Sequence, residues 1–159
     1  PVYNGYTFNA DDQLYSRETE AVQVLFRPLF TTSFLIDDFI ADNQYYGAKQ
    51  VVFSSASAKT SYAAAQLLKA RGDVKVIGLT SPGNVSFTQK LGFYDSVTPY
   101  GEIGSLDGSV PTVFVDIAGD ATKAFRGPAF GWPAGTNVEC APGLSISVRP
   151  CAPAGACCG

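Results

Sequence analysis

Apolar positions along this chain fall into two patterns. Short unbroken runs, Val51-Val52-Phe53, Val76-Ile77-Gly78-Leu79 and Val113-Phe114-Val115, alternate with segments whose apolar residues are spaced as on a helix. Runs of this length, bounded by Ser, Gly and Pro, read as strands buried on both faces, the habit of a parallel sheet. After the first run, Ser57 or Ala58 opens a helix. Ala63, Ala64, Ala65, Leu67 and Leu68 give it propensity and an apolar face, and Gly72 ends it. Phe30 to Tyr46 reads as another helix, with Phe30, Phe34, Leu35, Ile36, Phe39 and Ile40 on a broad face and Gly47 as its stop. Asn84 to Leu91 is a short helix closed by Gly92. Asp95 to Thr98 is a third strand, Glu102 to Leu106 a brief crossover, and Pro111 to Asp116 a fourth strand.

Strands alternating with helices predict an α/β fold: a partial, Rossmann-like doubly wound parallel sheet of about four strands in the order 3-2-1-4. Residues 1–28 read as an N-terminal arm, 29–126 as the domain itself, and 127–159 as a Gly/Pro/Ala/Cys-rich tail without regular structure apart from a strand-like run at Leu144 to Val148. Without its usual neighbour, the fourth strand would present an open edge at Val113, Phe114 and Val115 and invite self-association unless the Cys-rich tail covers it.

The turn after the first strand carries the candidate chemistry. A dinucleotide fingerprint uses three glycines there, for a sharp turn, close approach of backbone to pyrophosphate, and tight helix-on-strand packing. Ser55, Ala58 and Ser61 stand in those places, so the fingerprint is degenerate but its residues are small. Amides freed at the helix N-terminus suit phosphate, with Lys59 and the Thr60 hydroxyl close by. Roughly 20 residues further on, where a cofactor's ribose is read, the chain has Thr80-Ser81-Pro82-Gly83-Asn84 and no carboxylate. Neutral donors there tolerate a 2′-phosphate, which points to NADP rather than NAD. In a 3-2-1-4 sheet the turns after the first and fourth strands flank the ligand crevice, so Asp116 faces it together with Ser57. Asp116 then either meets cofactor or caps the following helix. The competing reading is structural: Ser-rich turns cap helices in α/β domains that bind no nucleotide, leaving a non-catalytic binding or interaction module.

The order of these segments, from Ala48 to Gly72, then Val76 to Ser81, Leu91-Gly92-Phe93-Tyr94-Asp95 and Val113 to Gly119, resembles the nucleotide-binding part of medium-chain dehydrogenases/reductases. It is most similar to a zinc-free branch, related to quinone and enone reductases and known only as a domain of unknown function. Pro1-Val2-Tyr3-Asn4 and Arg27 to Phe39 share the likeness, which extends to about Arg126. The resemblance implies an NADP-dependent oxidoreductase that moves hydride between NADPH and a carbonyl or activated alkene. It also implies that Thr31 or Thr32 lies near the nicotinamide, where the plain alternative is a helix cap. Members of that family carry a substrate domain before this part and two more strands after it. The chain is therefore expected to be truncated at both ends and inactive alone.

Composition narrows the classes further. The chain has 159 residues, 46% of them hydrophobic, enough for one real core. A net charge of −3 and a pI near 4.8 argue against nucleic acid as a partner. No apolar stretch is long enough to span a membrane, and the N-terminus is not signal-like, which points to a cytoplasmic protein. Histidine is absent, removing Ser-His and Cys-His nucleophile systems and the commonest metal ligand. The four cysteines, Cys140, Cys151, Cys157 and Cys158, lie in the tail without the spacing of a zinc site. No metal is expected.

Overall fold

The computed structural model of the chain describes residues 8–117, 137–141 and 144–149, with side chains for the first of these stretches. Four parallel strands form its centre: β1 (Gln50–Phe53), β2 (Lys75–Thr80), β3 (Ser96–Pro99) and β4 (Thr112–Asp116). They stand in the order β3-β2-β1-β4, as the apolar runs predict. Val51 pairs with Val76 on one side and Val113 on the other, so the three most apolar runs lie side by side. Successive residues point to opposite faces and feed two cores. Val51, Phe53, Val76, Val113 and Val115 pack under the helices α1 (Glu20–Asp42) and α2 (Lys59–Arg71). Val52, Ile77, Leu79 and Phe114 face the opposite side, against Tyr100, Ile103 and Leu106 of the crossover.

The tail is not wholly irregular. The strand β6 (Leu144–Arg149) lies antiparallel on the free side of β4, pairing Val113 with Val148 and Val115 with Ile146, and β5 (Asn137–Ala141) lies outside β6. The expected open edge of β4 is thus covered by the chain's own tail. The physical reason was present in the sequence: Leu144-Ser145-Ile146-Ser147-Val148 alternates with period two, and an unpaired strand edge is a template for such a segment. The tail's cysteines lie outside the described side chains. The helical piece expected after Ala118 falls outside the described residues.

Helix α1 begins ten residues before the predicted Phe30 and runs through Pro28. A proline removes one backbone donor and commonly marks a boundary, but here the N-terminal half is held by other bonds. The Gln23 side chain donates to the Leu14 carbonyl at 2.8 Å, and Arg27 pairs with Asp12. The helix also ends earlier than Gly47. Asn43 closes it, its side-chain amide donating to the Phe39 carbonyl at 2.7 Å. A left-handed turn follows, with φ of 51° at Gln44, 53° at Tyr45, 52° at Tyr46 and 72° at Gly47. Three non-glycine residues in that region are unfavourable, and two tyrosines help hold them. Tyr46 packs on Phe39, and the Tyr45 hydroxyl donates to Asp73 at 2.6 Å.

Burial and that bond push the Tyr45 phenol up to about 12. Burial raises Tyr94 as well. Because the folded-state values lie above the ordinary tyrosine value of 10.0, the stabilisation is fully present below it and lost as pH rises through the folded value. Urea midpoints should therefore begin to fall above about pH 10. Tyr45→Phe, which cannot ionise, should flatten the fall between there and about 12.

Candidate functional site

The turn between β1 and α2 is built from backbone and hydroxyls. Ser54 follows the last residue of β1; its hydroxyl donates to Asp116 Oδ1 at 2.7 Å and accepts the Ile117 N–H at 2.8 Å. That pair ties the C-terminal ends of β1 and β4 together at the point where the strand order reverses, the customary ligand position in doubly wound sheets. Asp116, 1% exposed, is thereby buried at the end of β4, holding Ser54.

Ser55 adopts φ 46°, the left-handed conformation that explains why a glycine usually stands there. Its N–H donates to the Tyr100 hydroxyl at 2.7 Å. Ala56 N–H then donates to the Leu79 carbonyl at 2.8 Å, and Ala58 N–H closes the turn on the Ser55 carbonyl at 2.7 Å. Ala56 is fully buried against Gly78 of β2, and Tyr94 donates its hydroxyl to the Ala56 carbonyl at 2.9 Å. Ser61, in the last of the three fingerprint places, is also fully buried and donates its hydroxyl to the Ser54 carbonyl at 3.0 Å. A small side chain there brings the first turn of α2 against the end of β1.

Ala58 caps α2 without a side-chain bond, and the first helical bond runs from Tyr62 N–H to the Ala58 carbonyl. Among the described residues, no protein acceptor meets the N–H groups of Lys59 and Thr60. These are the donors that helix N-termini offer to anions. Beside them, Ser57 Oγ meets Thr80 Oγ1 at 3.4 Å and Asn84 Nδ2 at 3.2 Å. Ser57, Thr80 and Asn84, separated by up to 27 residues, thus form one polar cluster at the ends of β1 and β2. Ser81 is exposed next to it, its carbonyl accepting Asn84 N–H at 2.9 Å.

Two expected residues are placed differently from this cluster. The Lys59 side chain lines a groove of about 260 Å³ between α1 and α2, beside Phe26, Phe30 and Tyr62. Thr32 lies inside α1, not at a cap, and its hydroxyl donates to the Pro28 carbonyl at 3.0 Å. The residue of α1 that reaches the turn is the neighbour, Ser33, which donates to the Thr60 carbonyl at 3.0 Å. Ser33, Ser54, Tyr94 and Tyr100 were not singled out from sequence. For Ser33 the signal is helical phase, since it shares a face with the buried Ile36, Asp37 and Ile40.

Neutral hydroxyls, an amide and free backbone donors around a helix N-terminus make an anion-accepting surface. Among the described residues no helix is long and apolar enough to cross a membrane. Fold and turn together define a doubly wound α/β protein whose β1–α2 turn stands at its topological switch point. The chain belongs to the family described as Protein of unknown function (DUF2855), whose profile matches residues 1–125. No curated protein and no solved structure matches it.

Proposed function

We propose that this chain binds a dinucleotide at the β1–α2 turn, with NADP preferred over NAD, as the nucleotide-binding part of an oxidoreductase of the medium-chain reductase type. In that role it would serve hydride transfer between NADPH and a carbonyl or activated alkene. One observation carries the reading. The unpartnered N–H groups of Lys59 and Thr60 open beside the Ser57–Thr80–Asn84 cluster, and the β2 end supplies hydroxyls where an NAD site would supply a carboxylate. Pyrophosphate would lie on the α2 N-terminus, and the adenosine ribose with its 2′-phosphate near Ser81 and Asn84. Lys59, which is exposed, would approach from the groove side.

The bond from Ser55 N–H to Tyr100 favours a second reading, a non-catalytic binding module, because it already satisfies one of the turn's amides. Substitutions separate the two. Lys59→Ala should spare the fold and weaken NADPH binding about 3–10-fold at low salt, less as salt rises. Ser81→Asp should reverse the preference towards NADH, since a carboxylate accepts ribose hydroxyls and repels a 2′-phosphate. Isothermal titration of both variants with both cofactors reads the result. Unchanged NADPH affinity in Lys59→Ala would reduce that lysine to a solvated helix residue. An unchanged preference in Ser81→Asp would remove the ribose assignment.

A further inference from the structure

Within the β1–α2 turn, Ser55 alone has a positive φ, at 46°. A side chain makes that conformation unfavourable, whereas a glycine adopts it freely. Both polar groups of the Ser55 backbone are nonetheless fixed. Its carbonyl accepts Ala58 N–H at 2.7 Å, and its N–H donates to the Tyr100 hydroxyl at 2.7 Å. Ala58 is the cap of α2, so the orientation of Ser55 carries over to the first turn of that helix, where the N–H groups of Lys59 and Thr60 lie.

Tyr100 is held independently of the turn. It follows Pro99, the last residue of β3, which pairs with Thr80 at the end of β2. Its ring packs against the second core, that of Val52, Ile77, Leu79 and Phe114. The side chain therefore reaches from the end of β3 past β2 to the turn that leaves β1, 45 residues earlier in the chain. A ring anchored in a core sets its hydroxyl in one place, and an amide bonded to it cannot rotate without losing the bond.

We propose that Tyr100 is the positioning residue of the nucleotide turn: it holds Ser55 in the left-handed conformation and thereby aims the free amides of α2 at the pyrophosphate. The inference rests on the dinucleotide reading given above, and adds how a turn without glycine keeps the geometry that glycine would otherwise supply. The amide that Tyr100 occupies is that of Ser55, not one of the two assigned to pyrophosphate, so the bond takes no donor from the ligand.

Tyr100→Phe keeps the ring in the second core and removes only the hydroxyl. Isothermal titration of the full chain should then show NADPH affinity falling about 3–10-fold, the range that one lost hydrogen bond spans. Adenosine 2′-monophosphate, which lacks the pyrophosphate, should bind Tyr100→Phe as well as it binds the unaltered chain. Ser55→Gly by itself should change NADPH affinity by less than about twofold, and combined with Tyr100→Phe it should restore about half or more of the lost binding free energy, since the left-handed turn then needs no outside hold. A substitution that only loosened the fold would weaken both ligands alike and gain nothing from Ser55→Gly. NADPH affinity unchanged or raised in Tyr100→Phe would overturn the proposal while leaving the nucleotide reading in place. So would an equal loss for the two ligands, or a loss that Ser55→Gly does not restore. An unaltered chain that binds no NADPH overturns the reading and this proposal together.

Discussion

Gly78→Ala should destabilise the protein by about 1–3 kcal/mol, and Gly78→Val by more than that. A Cβ at this position would lie 2.7 Å from the Ala56 Cβ and 3.0–3.1 Å from two ring atoms of Tyr94. Neither neighbour can step aside easily. Ala56 is fully buried in the turn, with its N–H bonded to Leu79, and Tyr94 is fixed by its hydroxyl bond to the Ala56 carbonyl. The damage should therefore be directed at the turn itself, and NADPH affinity should fall along with stability. Ala56→Gly removes the nearest atom, so the double variant Gly78→Ala with Ala56→Gly should recover part of the loss. Chemical denaturation of the four proteins gives the coupling. Additive losses would mean that the contact does not constrain the turn.

Arg71→Ala should cost about 2–4 kcal/mol. Asp37, with 4% of its side chain exposed, is held by a fork from Arg71, with Nε at 2.9 and 3.1 Å and Nη2 at 2.8 Å from the carboxylate oxygens. Removing the guanidinium leaves a buried carboxylate without its partner, which is the expensive way to break such a pair. The figure lies towards the low end of the range for buried pairs because Arg71 is 38% exposed and solvent shares its charge. Arg71→Lys should fall between, keeping the charge and losing the fork. Asp37→Ala together with Arg71→Ala should be less damaging than Arg71→Ala alone, since no charge is then stranded. Thermal and urea denaturation read all three. If Arg71→Ala cost no more than a surface change, the ion pair would add nothing to the apolar packing and the Ser33–Thr60 bond that join α1 and α2.

The parallel sheet was legible because its signals are local. Three apolar runs, each too short for a helix, could only be buried strands, and Gly72 and Gly92 ended helices with φ of 80° and 71° as expected. The N-terminal half of α1 was not legible because residues 1–28 show little apolar period, and the Gln23–Leu14 and Arg27–Asp12 bonds that hold that stretch exist only in the fold. The left-handed turn from Gln44 to Gly47 has no local signal beyond its glycine; it is sustained by Tyr45 reaching Asp73, 28 residues on. The free side of β4 was legible; that Leu144 to Val148 takes it is a pairing distant in sequence, which no local pattern fixes.

The candidate site divides in the same way. The spacing of Ser55, Ala58 and Ser61 marked the turn, and the structure gives Ser55 the backbone conformation and Ser61 the close contact that the spacing implied. What joins the turn to the rest of the fold was not readable. Tyr100 reaches Ser55 over 45 residues and Ser54 reaches Asp116 over 62. Such pairings exist only once the strand order is set. Ser33, which the sequence did not mark, reaches the first turn of α2 because the buried face of α1 is fixed by Ile36 and Ile40, and Ser33 lies on it.

The most direct measurement is a thermal-shift titration of the full chain with NADPH and NADH, read alongside nicotinamide fluorescence. A ligand that binds only the folded state raises the melting temperature in proportion to the logarithm of its concentration above the dissociation constant. NADPH should raise it and enhance fluorescence at lower concentration than NADH. A protein whose melting temperature and fluorescence respond to neither cofactor, or that prefers NADH, would contradict the assignment of the β1–α2 turn as an NADP site.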